Sequence, residues 1–338
     1  MEGEPKAERE EAARQDQAAS SRRQPIVIAH RGASGLRPEH TLAAYELAIE
    51  MGADFIEPDL VATRDGVLIA RHENEISETT DVAGRPELAE RRIAKWIDGA
   101  EVTGWFTEDL TLAEIKALRA KERLPFRDQA WNGRFEVPTL GEILDLVRRK
   151  SEETGRTIGI YPETKHPTYF RSVGLPLEEP LVEALHASGY KGRSAPVYIQ
   201  SFETGNLQAL RRITDLPLIQ LLDVQGGPYD LAGRTYQEMA TPEGLAEIAL
   251  YADGIGPSKR MIVPADPSNR LLEPTSLVKD AHRAGLEVHP WTFRSDERFL
   301  SPDYQGIPEL EYEHFFALGI DGLFTDFPDT AVQARSGR

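Results

Sequence analysis

"FIEPDLVATRDGVLIARH", residues 55–72, decides how many strands this chain can close into a parallel sheet. It divides into two short apolar runs joined at Asp65-Gly66. Parallel neighbours need a crossover of about a dozen residues or more. Only a short turn separates 55–62 from 67–72, so these two arms must be antiparallel. The second arm, 67–72, is therefore a hairpin arm above the sheet and not one of its parallel members.

With that arm set aside, the rest of the chain counts cleanly. Short apolar runs occur at "IVIAH" (26–30), "FIEPDL" (55–60), "IGIYPE" (158–163), "VYIQSF" (197–202), "PLIQLL" (217–222), "DGIGP" (253–257), "EVHPWT" (287–292) and "DGLFTD" (321–326). Helical spacing appears at 41–52 and again near 139–150, 179–188, 204–212, 242–251, 274–284 and 308–318. Alternation of eight strands with helices predicts an α/β protein of the (β/α)8 TIM-barrel class. The barrel domain would span 25–338. The long stretch from about 73 to 138, with one helical piece near 111–120, reads as an inserted capping region after the second strand. The polar, glycine-rich 223–239 reads as another loop at the mouth.

Composition sets further limits. A formal net charge of −17 disfavours nucleic acid and anionic lipid as partners. With no cysteine, thiol nucleophiles and zinc–thiolate sites are excluded. No stretch approaches the ~18 apolar residues of a membrane helix, so no stable membrane insertion is expected. Residues 1–24 are charged, lack the apolar centre of a signal peptide and read as a disordered tail.

The hairpin carries chemistry. A two-residue turn at Asp65-Gly66 would set Asp59 opposite His72, with Glu57 on the same face. Two carboxylates without thiols form an oxygen site for a hard cation, Ca2+ or Mg2+. Acids at strand ends are common, and this pair alone decides nothing. Two more strand ends add weight. "IAHRGASG" (28–35) places His30 and Arg31 at the C-terminal end of the first strand, where barrel active sites lie. "YPETK" (161–165) does the same for Glu163 and Lys165, a third oxygen ligand and a second cation for phosphate. Each alone reads more readily as a surface pair; together they assemble a site.

In order, "HRGASGLRPEHT", "FIEPDL", "TRDGVLIARH", "YPETK", "QSF", "HPWT" and "DGLFTDFPD" resemble the glycerophosphodiester phosphodiesterase family, nearest to its bacterial periplasmic-type branch. The resemblance spans Ile26 to Asp329. It implies metal-dependent hydrolysis of a small glycerophosphodiester to sn-glycerol 3-phosphate and an alcohol. His30 and His72 match the general acid/base pair, and Glu57, Asp59 and Glu163 the ligands of Ca2+ or Mg2+. Arg31 and Lys165 match groups on the phosphate. Trp291 and Phe324 match aromatic walls. It also implies a periplasmic or secreted protein, whereas the residues themselves leave a cytoplasmic one equally open. Glu73 stands where aspartate is usual, and Thr164 where an aliphatic residue is.

The remaining histidines read differently. His40 suits the start of the first helix, His166 a loop, His289 barrel packing, and His186, His282 and His314 peripheral helices. Tyr161, Gln200 and Asp326 are secondary pocket candidates. Two rivals stand beside the main reading. One is a phospholipase C- or sphingomyelinase D-like phosphodiesterase on the same barrel. The other is a barrel that binds without catalysis.

Overall fold

The computed structural model describes residues 24–337. Apart from Gln24, the tail expected over 1–24 lies outside the described residues. Eight parallel strands close into a barrel with helices outside. The first strand, Ile26–His30, pairs with Phe55–Glu57 on one side and with the last strand, Gly322–Thr325, on the other. Ladders then run in chain order through Gly159–Ile160, Glu163–Thr164, Ile199–Ser201, Leu218–Leu222, Gly254–Pro257 and Glu287–Val288. The circle is completed where Asp321 N donates to Val288 O (3.0 Å) and Phe293 N to Phe324 O (2.8 Å).

Two prolines shape the half of the barrel that matters here. Pro58 splits the second strand into Phe55–Glu57 and Asp59–Ala62, and Pro162 splits the third in the same way. Neither residue can donate to a ladder. Asp59 and Leu60 pair in register with Glu163 and Thr164. The carboxylates of both strands thereby reach the same level of the mouth.

Helix ends follow local chemistry. Thr41 caps Leu42–Glu50 by accepting from Ala44 N. Thr139 and Glu142 form a reciprocal capping box on Leu140–Thr154, which Gly155 ends at φ 66°. Inside the bore, Ile28, Phe55, Tyr161, Ile219 and Phe324 form a separate core layer. No helix among the described residues is long and apolar enough to cross a membrane.

The hairpin register differs from expectation by one residue. The observed pairs are Leu60 with Ala70, Val61 with Ile69, and Ala62 with Leu68. Arg71 N donates to Asp59 O (2.9 Å), so Arg71 and not His72 stands opposite Asp59. A two-residue hairpin turn of type I′ or II′ needs positive φ at its first central position. Here Gly66 has φ 78°, whereas Asp65 is not in the left-handed region. Asp65 instead accepts from Thr63 Oγ1 (2.7 Å) and from Leu112 N (2.9 Å), which fixes a three-residue turn against the following segment.

Residues 73–138 hold short 3-10 turns, a helix at Leu112–Ala117 and an antiparallel hairpin, Ile93–Ile97 with Ala100–Gly104. The hairpin was not anticipated. Its turn is a true two-residue Asp98-Gly99 loop with φ of 46° and 82°, so the dipeptide expected to act at 65–66 acts here instead.

Candidate active site and metal centre

At the C-terminal ends of the strands lies a cavity of about 320 Å3. Its lining includes His30, Arg31, Glu57, His72, Glu163, Lys165, Trp291 and Phe324. Asp59 is buried beside Glu57 and Glu163. A larger cavity of about 640 Å3 lies on the outer wall between helices Thr204–Ile213 and Pro242–Ile248. It has neither an imidazole nor the three-acid cluster, so the smaller one is the chemical site.

Glu57, Asp59 and Glu163 each offer a carboxylate oxygen, all within 4.8 Å of one another. Burial and then the charges of Asp59 and Glu163 push the Glu57 carboxyl well above its usual range. Asp59 moves the other way. Burial opposes its ionisation, but Lys165 and His40 hold it well below the ordinary carboxylate value. Its Oδ1 is buried and has no hydrogen-bond partner. Three converging carboxylates with an orphaned oxygen and no soft donor fit a hard divalent cation, which would supply the missing charge.

The supporting bonds aim these acids. Glu57 Oε2 accepts from Arg31 N (2.7 Å), and Oε1 from Gln200 Nε2 (3.1 Å). Glu163 Oε1 accepts from Lys165 Nζ (2.9 Å). Asp59 Oδ2 accepts from His40 Nε2 (2.8 Å), whose Nδ1 meets the Tyr45 hydroxyl at 2.8 Å. His40 thus does more than start a helix. Its backbone takes φ 55°, turning the ring inward onto an acid of the cluster.

His30 is buried, and its Nδ1 donates to Asp326 Oδ1 at 2.7 Å. That leaves Nε2 for the cavity. Burial and the neighbouring Arg31 charge lower its pKa to about 4. Asp326 Oδ2 accepts from Arg127 (2.6 Å) and Arg294 (3.0 Å). Burial would raise Asp326, but His30 and these arginines hold it well below the usual range. His72 lies at the rim, with Nδ1 2.7 Å from Glu73 and Nε2 3.2 Å from Lys165 Nζ. Burial and the Arg31 and Lys165 charges lower its pKa to about 3. Both rings are therefore neutral at neutral pH.

Arg31 has φ 60° and follows the buried His30. Its Nη1 grips Glu39 (3.1 and 3.2 Å), and its Nε is 3.4 Å from Asp59 Oδ2 without a satisfied hydrogen bond. Gly32 makes this turn possible at φ 85°, where a Cβ would lie 2.6 Å from the Ala44 carbonyl carbon. Trp291 is fixed by donation from Nε1 to Gly256 O (2.7 Å) and meets Phe202 edge-on at 5.8 Å. Phe324 closes the floor against Tyr161 at 4.9 Å. Thr164 faces away and donates to Asn206 (2.7 Å), which explains a polar residue there.

His289 is buried below the floor beside Tyr161 (2.9 Å). His186, His282 and His314 bond to Thr214, Asp321 and Tyr304 at the periphery. Among the groups missed are Arg127, Arg123 and His166. Arg123 bonds Glu39 at 3.0 Å, and His166 bonds Glu73 at 2.9 Å. No local pattern marks the two arginines, which arrive from the 73–138 segment.

The model of the glycerophosphoryl diester phosphodiesterase family matches residues 30–330. The chain belongs to this family. It is 41% identical to a glycerophosphodiester phosphodiesterase of Arabidopsis thaliana over 90% of this chain and 84% of that one. It is 32% identical to the Haemophilus influenzae glycerophosphodiester phosphodiesterase over 92% of this chain and 90% of that one. Among solved structures, an Oleispira antarctica phosphodiesterase in complex with the product sn-glycerol-3-phosphate superposes with a TM-score of 0.60 at 21% identity, covering 93% of this chain and 97% of that one. A glycerophosphodiester phosphodiesterase from Agrobacterium tumefaciens gives 0.60 at 19%, covering 91% and 99%. At these identities the two structures speak for the barrel fold.

Proposed function

We propose that this chain hydrolyses glycerophosphodiesters to sn-glycerol 3-phosphate and an alcohol. Its work would be done by the pair His30 and His72 beside the cluster Glu57, Asp59 and Glu163. The observation that carries this reading is the shared cavity: two imidazoles, Glu57 and Glu163 line one volume, and Asp59 joins the two acids within 4.8 Å. Glu57, Asp59 and Glu163 would hold Ca2+ or Mg2+, which would supply positive charge against the phosphodiester and the charge that builds on it. Arg31 and Lys165 receive the remaining phosphate oxygens. In the free site burial and the Arg31 charge depress His30, and burial with the Arg31 and Lys165 charges depresses His72. A bound anion offsets that repulsion and raises both imidazoles toward the range where they exchange protons.

One ring, neutral, then takes the proton from the nucleophile, and the other, protonated once the anion is bound, delivers its proton to the departing alcohol oxygen. Asp326 holds His30 in the tautomer with Nε2 toward the cavity. Trp291 and Phe324 wall the glycerol end, and residues 73–138 cap the mouth. The "PEHT" and "YADGIGP" forms support placement in the periplasmic-type branch. The test is release of glycerol 3-phosphate from glycerophosphocholine or glycerophosphoethanolamine, with and without chelator. Release that survives complete removal of divalent ions, or no release from either diester with metal present, defeats the reading.

A further inference from the structure

Beyond His72 the hydrogen-bond chain continues, and nothing in the proposed reaction uses its far end. Glu73 Oε1 is 2.7 Å from His72 Nδ1, and Glu73 Oε2 is 2.9 Å from His166 Nε2. The other nitrogen of His166, Nδ1, is 2.5 Å from Asp98 Oδ2. A ring between two carboxylates must donate from both nitrogens, so His166 is an imidazolium. The two acids lie at opposite ends of the ring, which makes this a strap and not a metal site.

The strap joins three separate pieces of chain. His166 follows the third barrel strand at φ 49°, Glu73 follows the hairpin arm, and Asp98 is the tip of the 93–104 hairpin at φ 46°. Two non-glycine residues in the left-handed region thus meet at one contact. Such strain is kept where surrounding structure requires it. Glu73 bridges because its two oxygens serve different rings.

The geometry points to His166 as a positioning residue, clamped by Asp98 of the 93–104 hairpin, that locks Glu73 and through it the ring of His72 in the reactive pose. The inference rests on the proposed role of His72. Without the strap, Glu73 is a partly exposed side chain free to change rotamer, and His72 loses the partner that fixes its Nδ1–H tautomer. The strap also ties the tip of the 93–104 hairpin to one reacting group.

The test is a double-mutant cycle on the full chain loaded with Ca2+ or Mg2+ and assayed with glycerophosphocholine. In the wild-type background H166A should lower kcat by about 10- to 100-fold, with KM and metal Kd nearly unchanged. In the H72A background, measured under single turnover, H166A should cause no further loss. D98N keeps the left-handed turn, since asparagine tolerates that region. It should give a smaller loss with the same background dependence, and it carries the test if H166A folds poorly. An equal loss in both backgrounds, or full-rate H166A and D98N beside a crippled H72A, overturns the positioning role alone. Full activity of H72A overturns the underlying assignment of His72.

Discussion

Asp326 Oδ1 lies 2.7 Å from His30 Nδ1, across the seam where the first and last barrel strands meet. The carboxylate is itself held by Arg127 and Arg294, so the imidazole is aimed by a chain that ends in the 73–138 segment. Asp326→Asn can present its amide to Nδ1 and favour the wrong tautomer. We expect kcat to fall by roughly 10²- to 10⁴-fold. The melting temperature should fall too, because Arg127 and Arg294 lose a buried counter-charge. Steady-state kinetics well below the melting transition separate the two effects. Near-normal kcat would show that His30 does not depend on this contact.

Glu163→Gln addresses the acidic cluster. In the metal-free protein three carboxylates crowd together, and Glu57 is forced up by burial and by Asp59 and Glu163. The new amide can donate to a neighbouring carboxylate while its oxygen still accepts from Lys165. Chelator-treated E163Q should therefore melt no lower than chelator-treated wild type. Its affinity for Ca2+ or Mg2+ should drop by at least about 10-fold, and the metal-induced rise in melting temperature should shrink accordingly. Calorimetric titration with matched thermal melts checks both. An unchanged metal affinity would remove Glu163 from the ligand set.

The barrel was legible because its strands are short, β-branched and separated by regular helical spacing, and because a short turn forces 67–72 to be antiparallel. The hairpin register was not legible. Asp65 is committed to Leu112 N, a contact 47 residues away, which overrides the local preference of Asp-Gly. The same dipeptide at 98–99 does form the two-residue turn, and alternation around "WIDGAE" was the available signal. Acids and histidines at strand ends share a cavity since parallel strands point the same way. His40 was misread because capping logic describes its backbone neighbours and not a ring turned inward by a positive φ. Arg127, Arg123 and Asp98 reach the site only through tertiary folding of an irregular segment.

Gly32→Ala tests how far the turn after the first strand governs the site. The added methyl would sit at φ 85° and 2.6 Å from the Ala44 carbonyl carbon. Strain and displacement of the helix Leu42–Glu50 should cost about 1–3 kcal/mol of stability. His30 and Arg31 immediately precede the turn, so kcat should fall beyond what unfolding explains. Denaturant melts and kinetics on the folded fraction check this. A variant as stable and active as wild type would mean that the helix yields freely.

His166 gives the chain a pH-dependent stability. Burial would lower its pKa, but Asp98 and Glu73 outweigh that effect and raise it to about 9, from an ordinary value near 6.5. The folded-state value is the higher one. The strap's contribution is therefore fully present below about pH 6.5, declines as pH rises, and is gone once pH passes about 9. Its size should be on the order of 1–3 kcal/mol. Wild-type melting temperature should fall between pH 6.5 and 9.5, and the fall should be markedly shallower in H166A. Parallel curves for the two proteins would show that Asp98 and Glu73 do not hold the ring as a cation.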